Sequence, residues 1–537
     1  MSLSHGAAAQ RSLTPRAGLR EWIGLAVLML PTLLIALDMT VLHLAIPSIS
    51  EDLQPTSVQL LWITDIYGFL IAGSLITMGT LGDRIGRRRL LMIGAGAFSA
   101  ASILAASSTT AEMLIFSRAL LGIAGATLMP STMSLIRNMF LDSRQRTAAV
   151  GVWVSGFSAG SAIGPLVGGF LLEHFSWGSV FLIAVPIMIT LIIGALLVLP
   201  EYKDPNPGRF DLFSAGLSIV ALLSIIFSVK QVAELGLNLT GGGALLLGLL
   251  SGYLFIQRQR ALADPLIDLR LFQIPQFNAS LVTYFTGIFF AIGLGLFTAQ
   301  YLQLVLGLSP MQAGIWSIPG AAISVVASNV APRLVRRIRT SYVVATGLLS
   351  AAAGLAVMSM VGVDSLGLIV GGNLFLSLGF GLAFTITIDL VVATAPPERA
   401  GAASAIAETG AELGGALGIA ILGTVGMLIY SQQLAATMPA GLSVEAMIAA
   451  EETLGGAVVI ANQLPSDVSS SLLNAANLAF VHGLQVNALL GALAFVGLAV
   501  LALTVLRHIR PDTTPENELE MIYHSTVQPP PEPFSGD

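Results

Sequence analysis

Fourteen stretches of this chain are apolar over about 20 residues each, the length an α-helix needs to cross the hydrocarbon of a bilayer. They run over 22–45, 58–79, 90–108, 112–134, 148–171, 179–199, 212–230, 238–256, 277–301, 311–331, 341–361, 366–394, 402–430 and 483–506. A run of this kind satisfies its own backbone groups as a helix, which lipid demands. Charged residues make up only 10% of the 537, against about 25% in soluble domains, and the mean hydropathy is +0.85. The chain is therefore read as an all-α, polytopic membrane protein.

The placement of charge tests that count. With a cytoplasmic N-terminus, every one of the 24 Lys and Arg residues except Arg118 and Lys230 falls on the cytoplasmic side. This is the asymmetry that sets membrane orientation. An odd number of spans would destroy it, so both termini are expected in the cytoplasm. The outer loops carry acid instead (Glu51, Asp52, Glu173, Asp364). The net charge of −6 is thus segregated by loop and points to no nucleic-acid partner. In the longest outer loop, 431–482, Ser443 is placed to cap a short helix from Val444 to about Leu454. The chain has no cysteine, its histidines show no metal-ligand spacing, and no Walker pattern is present, so neither a metal nor ATP is expected. The polar first twenty residues, with Arg11, Arg16 and Arg20, do not read as a cleaved signal peptide.

Against this apolar background the acids stand out. Residues 404–418 read SAIAETGAELGGALG, and Glu408 and Glu412 lie one helical turn apart on one face. A carboxylate in hydrocarbon is costly and faces a cavity or a partner by default. Two on one face oppose each other's ionisation, which suits taking up and releasing a proton. Asp38 and Asp65, on adjacent helices of opposite direction, both fall roughly 10–12 Å below the outer surface at 1.5 Å per residue, a depth that suits a shared site. Arg118 is the fixed cation well inside the membrane; it serves proton coupling by favouring the charged form of a nearby acid, or it satisfies helix carbonyls. Asp389, near the inner end of its segment, reaches the inner interface or assists substrate access. Trp62, Tyr67, Trp153, Phe157, Phe285 and Trp316 offer faces to a lipophilic cation or anchor the interface.

An internal repeat is also visible. RTAAVGVWVSGFSAGSAIGP from Arg146 and RAGAASAIAETGAELGGALG from Arg399 align at an offset of 254 residues, with Gly160 on Gly414 and Gly164 on Gly418. Six helices, an inserted pair and six more would give the fifth segment the thirteenth as its mate, as in many transporters. Val154 and Ser158 then stand where Glu408 and Glu412 do.

Three local motifs name a family. GTLGDRIGRRR runs from Gly79 and includes Asp83, Gly86, Arg87 and Arg88; its glycines suit a tight turn and Asp83 can pair with an arginine or a helix N-terminus. RALLGIAGA runs from Arg118. GSAIGPLVGG holds Gly160, Gly164, Pro165, Gly168 and Gly169, spaced for close helix contact with a kink at the proline. These resemble the inner-gate, fourth-helix arginine and antiporter signatures of the major facilitator superfamily. LDMTVLHLAIP (37–47), LWITDIYGFLIAG (61–73), LLEHFSWGSVFLIAVP (171–186) and LQLVLGLSPMQAG (302–314) narrow the resemblance to its fourteen-helix drug:proton antiporters of the QacA, LfrA and SmvA type.

The resemblance implies a major facilitator fold of 6+2+6 helices. A cytoplasmic tail 1–21 precedes an N-terminal six-helix bundle 22–200. An inserted pair with linkers occupies 201–271, the C-terminal bundle 272–506 includes the outer loop, and 507–537 is a tail. It also implies a secondary transporter rather than an enzyme, running on the proton gradient without a cofactor. The cargo would be lipophilic cationic drugs, quaternary ammonium biocides and dyes, exported across a bacterial inner membrane by a functional monomer. Asp38, Asp65, Glu408 and Glu412 would bind substrate and protons. Residue type, not the resemblance, adds Trp153, Phe157 and Trp316 as candidates for the binding wall. The chain departs from QacA at Ala407 and Ser324, where that protein has acids, which bears on monovalent or divalent cargo. The alternative is an exporter of a lipid or metabolite on the same scaffold.

Overall fold

The computed structural model describes residues 16–508 apart from 56, 204–210, 237, 263–264, 396–399 and 440–441. Among them are fourteen helical spans long and apolar enough to cross a membrane, as the segment count predicts. The N-terminal bundle comprises α1 (Leu19–Leu53), α2 (Ser57–Ile85), α3 (Arg87–Ala106), α4 (Ala111–Gly125), α5 (Leu128–Met139), α6 (Ser143–His174), α7 (Ser179–Leu182) and α8 (Ala184–Val198). Then come α9 (Leu212–Leu235) and α10 (Leu239–Ala261). The C-terminal bundle comprises α11 (Pro275–Gln300), α12 (Pro310–Leu334), α13 (Thr340–Met358), α14 (Leu366–Thr394), α15 (Ala400–Thr437), α16 (Val444–Glu452), α17 (Leu454–Ala461) and α18 (Ser466–Val505).

Two spans are broken by proline. Pro130 lacks an N–H and its ring collides with the carbonyl four residues back, so α4 gives way to α5 across Ala126 and Thr127. Pro186 does the same between α7 and α8. Each bundle has its own apolar core, one built on residues 25–199 and one on 290–506.

The repeat read from sequence has a packing counterpart. A Cβ on Gly160 would strike the Leu33 carbonyl and lie 2.9 Å from the Ala36 Cβ, so α6 approaches α1 at backbone distance. A Cβ on Gly414 would lie 2.8 Å from the Phe285 carbonyl, and one on Gly418 would strike that of Phe289, so α15 sits on α11 in the same manner. Gly164 and Gly168 extend the α6 seam onto Thr40 and Val41, whereas Gly169 meets nothing and is no part of it. The side chain of Pro165 lies outside the described residues.

Two expectations change. The stretch from Gly79 is not a loop: α2 runs through buried Gly79 to Ile85, and the turn is confined to Gly86, whose φ of 110° excludes other side chains at low cost. The outer segment 431–482 is mostly helix. Ser443 caps α16 as expected, its Oγ accepting from the Ala446 N–H at 3.2 Å. However, α18 begins at Ser466, far ahead of 483. That extension buries only Leu472, Ala476, Ala479, Phe480 and Val481, a stripe that average hydropathy does not detect.

The inserted pair is tied together at both ends. Ser228 donates to the Gly241 carbonyl at 2.8 Å, and Arg258 donates to Asp211 at 2.6 Å. That guanidinium holds the Asp211 carboxyl well below the usual carboxylate range. The pair lies against both halves, α9 packing on α2 and on α15.

Candidate functional site

A cavity of about 430 Å³ lies between the two halves. That is the size of a small-molecule site. Its walls are mostly apolar and come from both bundles, and the polar groups that interrupt them include Arg118, Tyr67, Trp153, Glu408 and Glu412, which the sequence singles out.

On the N-terminal side, Arg118 of α4 is 2% exposed. Its Nη1 donates to Asp38 Oδ2 at 3.0 Å and its Nε to the Ile63 carbonyl at 3.1 Å. Its guanidinium carbon sits 4.6 Å from the centre of the Tyr67 ring. Arg118 thus satisfies a helix carbonyl, as one reading expects, and it also pairs with an acid. Asp38 does not itself line the cavity; Arg118 and Tyr67 do. Tyr67 is 3% exposed, and its hydroxyl has no hydrogen-bond partner among the described residues. Asp65 lies on α2 beside Thr64, which lines the cavity; its own side chain is outside the described residues.

Across the cavity, α15 presents Glu408 and Glu412 to it. Glu408 is 8% exposed and its Oε1 has no partner among the described residues. Glu412 turns toward α2, one carboxylate oxygen 4.0 Å from where a Cβ on Gly68 would stand. Tyr284 of α11 is close enough to both glutamates to feel their charge, as Tyr67 is to Glu412 and Asp38. Since Asp38 is matched by Arg118, the glutamates are the acids left without a described cation.

Among the aromatic candidates, Trp153, Phe157 and Tyr67 line the cavity. Trp153 is 4% exposed with its indole N–H unpartnered among the described residues. Trp316 does not belong there: it lies on α12, 41% exposed and away from the lining. Phe285 instead packs beneath Gly414. Tyr284 and Phe384 were not anticipated, and they contact edge to face at 5.7 Å.

The end of the bundle at which α1 begins carries most of the basic residues, and there the halves are joined. Thr147 Oγ1 donates to Asp389 Oδ2 at 2.8 Å and Arg146 Nε stands 3.7 Å from Asp389 Oδ1. Arg137 donates to the Val392 carbonyl, and Arg336 to the Arg144 carbonyl at 2.9 Å. Ile388 and Val392 of α14 insert into the core of the N-terminal bundle. Nearer the centre, Asn329 donates to Ser155 at 2.7 Å and Ser324 meets Ser158 at 3.2 Å. Asp389 is therefore neither at the interface with headgroups nor in the cavity wall; it is 6% exposed and bridges α14 to α6. In the stretch from Gly79, Asp83 pairs with Arg87, which is fully buried (Nε to Oδ1 2.8 Å). The Arg88 N–H donates to Glu201 at 3.0 Å, clamping the turn to the segment after α8.

The sequence profile of the Major Facilitator Superfamily matches residues 28–419. The chain belongs to the major facilitator superfamily. It is a membrane transporter and not an enzyme. It is 44% identical over 487 residues to the multidrug efflux pump LfrA of Mycolicibacterium smegmatis, covering 90% of this chain and 96% of that one. To the methyl viologen resistance protein SmvA of Salmonella typhimurium it is 38% identical over 496 residues, covering 90% and 97%. The tetracenomycin C resistance and export protein of Streptomyces glaucescens is 30% identical over 511 residues, with 93% and 94% covered. The human organic anion transporter MFSD10 superposes with a TM-score of 0.59 at 16% identity, covering 90% of this chain and 99% of that one, a likeness of fold alone.

Proposed function

We propose that this transporter exports lipophilic cationic drugs, quaternary ammonium biocides and dyes in exchange for protons, from the cytoplasm of a bacterium across its inner membrane. The observation that carries the reading is the placement of Glu408 and Glu412, acids without a described cation, on an apolar cavity walled by Trp153, Phe157 and Tyr67. Delocalised cations are weakly hydrated, so burying their apolar area offsets desolvation while a carboxylate supplies the charge. Aromatic faces add cation–π attraction. Its relatives LfrA and SmvA, named for multidrug efflux and for methyl viologen resistance, support this cargo class.

Proton and drug compete for the glutamates. With the basic end in the cytoplasm, the bonds of Asp389, Arg137 and Arg336 close the cytoplasmic side, and the cavity belongs to the outward-facing half of the cycle. A proton arriving from outside cancels the carboxylate and expels the drug. Rocking of the halves then exposes the site inward, where deprotonation restores affinity. No cofactor and no nucleotide enters this cycle, and a monomer contains the complete site.

The test is transport into proteoliposomes of one monovalent dye, ethidium, and one divalent cation, methyl viologen, under an imposed pH gradient. Uptake of either that stops when the gradient is collapsed supports antiport. Uptake indifferent to the gradient removes it, and transport of neither cation favours the lipid or metabolite exporter.

A further inference from the structure

We propose that the inserted helix α9 is a wall of the cargo cavity, and that Ile226 on it sets the girth of the cation admitted. The inference rests on the cation-export reading for its choice of cargo, but not for its geometry.

α2 and α15 belong to different halves and face each other across the cavity, so the line where they meet is a seam open toward lipid unless something covers it. α9 covers it, packing on both helices. At the seam, Ile226 is buried with Phe69 and Ala72 of α2, and Leu413 and Ala416 of α15 pack against the same cluster. Leu223, one turn away, fills the space over Gly73, its Cγ 3.3 Å from where a Cβ would stand. Phe227 stacks on Trp62 of α2, with ring centres 6.4 Å apart and planes 18° from parallel. Through this contact Ile226 passes the seam: among the described residues of the insert it is the one that lines the cavity. Leu413 and Ala416 lie in the turn that begins at Glu412, so Ile226 looks onto the stretch of α15 where a cation would rest.

The opposite side of the insert is built for lipid. Leu246, Leu249 and Leu250 of α10 are 71%, 56% and 58% exposed. The insert is thus a screen with one face in hydrocarbon and one side chain in the cavity. The volume of that side chain subtracts directly from the cargo space. Ile226 is β-branched and stiff, with one dominant rotamer in a helix, so it does not swing aside readily.

Two phosphonium cations of equal charge and different bulk, tetraphenylphosphonium and methyltriphenylphosphonium, read the effect in proteoliposomes. Ile226→Trp should raise the ratio of their KM values about 10-fold, since one hydrocarbon group in a pocket discriminates by that order. Ile226→Ala should lower the ratio, and Leu246→Trp on the lipid face should leave it alone. A ratio that stays within about twofold in both Ile226 variants overturns the proposal. The chain has no cysteine, so Ile226→Cys and Leu246→Cys give single-thiol proteins as a second measurement. A small hydrophilic maleimide should label the first and spare the second, and tetraphenylphosphonium should slow the first. Equal labelling of the two contradicts the wall even if the tryptophan variant fails to fold. If the wild type carries neither phosphonium, the cation reading falls, and the labelling contrast still decides whether Ile226 faces the cavity.

Discussion

Arg118 Nη1 lies 3.0 Å from Asp38 Oδ2, so the acid of α1 and the cation of α4 cancel each other inside the N-terminal bundle. The side chains are 2% and 12% exposed, which makes this a buried pair. Such a pair contributes little net stability but is costly to break from one side. Arg118→Leu should therefore destabilise the protein by about 3–5 kcal/mol, because it strands a buried carboxylate. Adding Asp38→Asn should recover most of the loss. Thermal unfolding of the detergent-purified proteins measures both, and a double variant no more stable than the arginine single would contradict the pairing.

Asp389 accepts from Thr147 at 2.8 Å and stands 3.7 Å from Arg146, a bridge between halves at the basic end. Hydrogen bonds to a charged group are worth about 1.5–3 kcal/mol. Asp389→Ala should thus shift the closed population by about 10-fold or more, each 1.4 kcal/mol being one decade. Ser328→Cys reports on it, since Ser328 is fully buried and its carbonyl lies beneath Gly151. Thiol labelling from the basic side should accelerate in the Asp389→Ala background. Asp389→Asn, which keeps an acceptor for Thr147, should fall between the two. An unchanged rate would mean that the apolar packing of Ile388 and Val392 holds that end alone.

The glycines of the antiporter stretch differ in what they face. Gly160→Val would push into the Leu33 carbonyl, and overpacking of this sort costs about 1–3 kcal/mol. Gly418→Val should do the same against Phe289, while Gly169→Val, with open space before it, should be neutral. Unfolding temperature and transport of ethidium together check the contrast. Equal damage at Gly160 and Gly169 would reject the packing account.

Acid sensitivity separates the inserted pair from the rest. The Arg258 hydrogen bond lowers the folded pKa of Asp211, so its contribution is present above the ordinary carboxylate pKa and is lost as pH falls through the depressed one. Between pH 5 and 8 this pair should be silent. Asp211→Asn should leave the pH profile of stability unchanged in that window and differ from the parent only below about pH 4. A difference near neutrality would contradict the pairing.

Much of the architecture was legible because lipid leaves a chain few options. Segment length, the side on which arginines fall and the glycine register of α6 and α15 each have a single physical reading. The acids were legible for the same reason: Glu408 in an apolar helix demands an explanation that an acid in a soluble loop does not. What the sequence does not show depends on which neighbour a helix meets. Arg137 and Arg146 count in the sequence as orienting charge, and nothing local says that they cross to α14. Asp389 was visible as an anomaly, but its partner lies 242 positions away in the chain. Residue type alone puts Trp316 in the binding wall, and the rotation of α12 turns it out. Tyr284 and Ile226 carry no signal of their own, since an apolar or aromatic residue in a membrane helix is ordinary until the cavity beside it is known. The extension of α18 is hidden by averaging over a helix that buries only a stripe.

The central claim is that proton and cation share the glutamates of α15, and proton release on binding tests it most directly. Purified protein in weakly buffered detergent near pH 7 should release protons when tetraphenylphosphonium is added, and the release should vanish in the Glu408→Gln, Glu412→Gln double variant. Binding of the cation with no proton released by the wild type, or equal release from the double variant, would contradict the account.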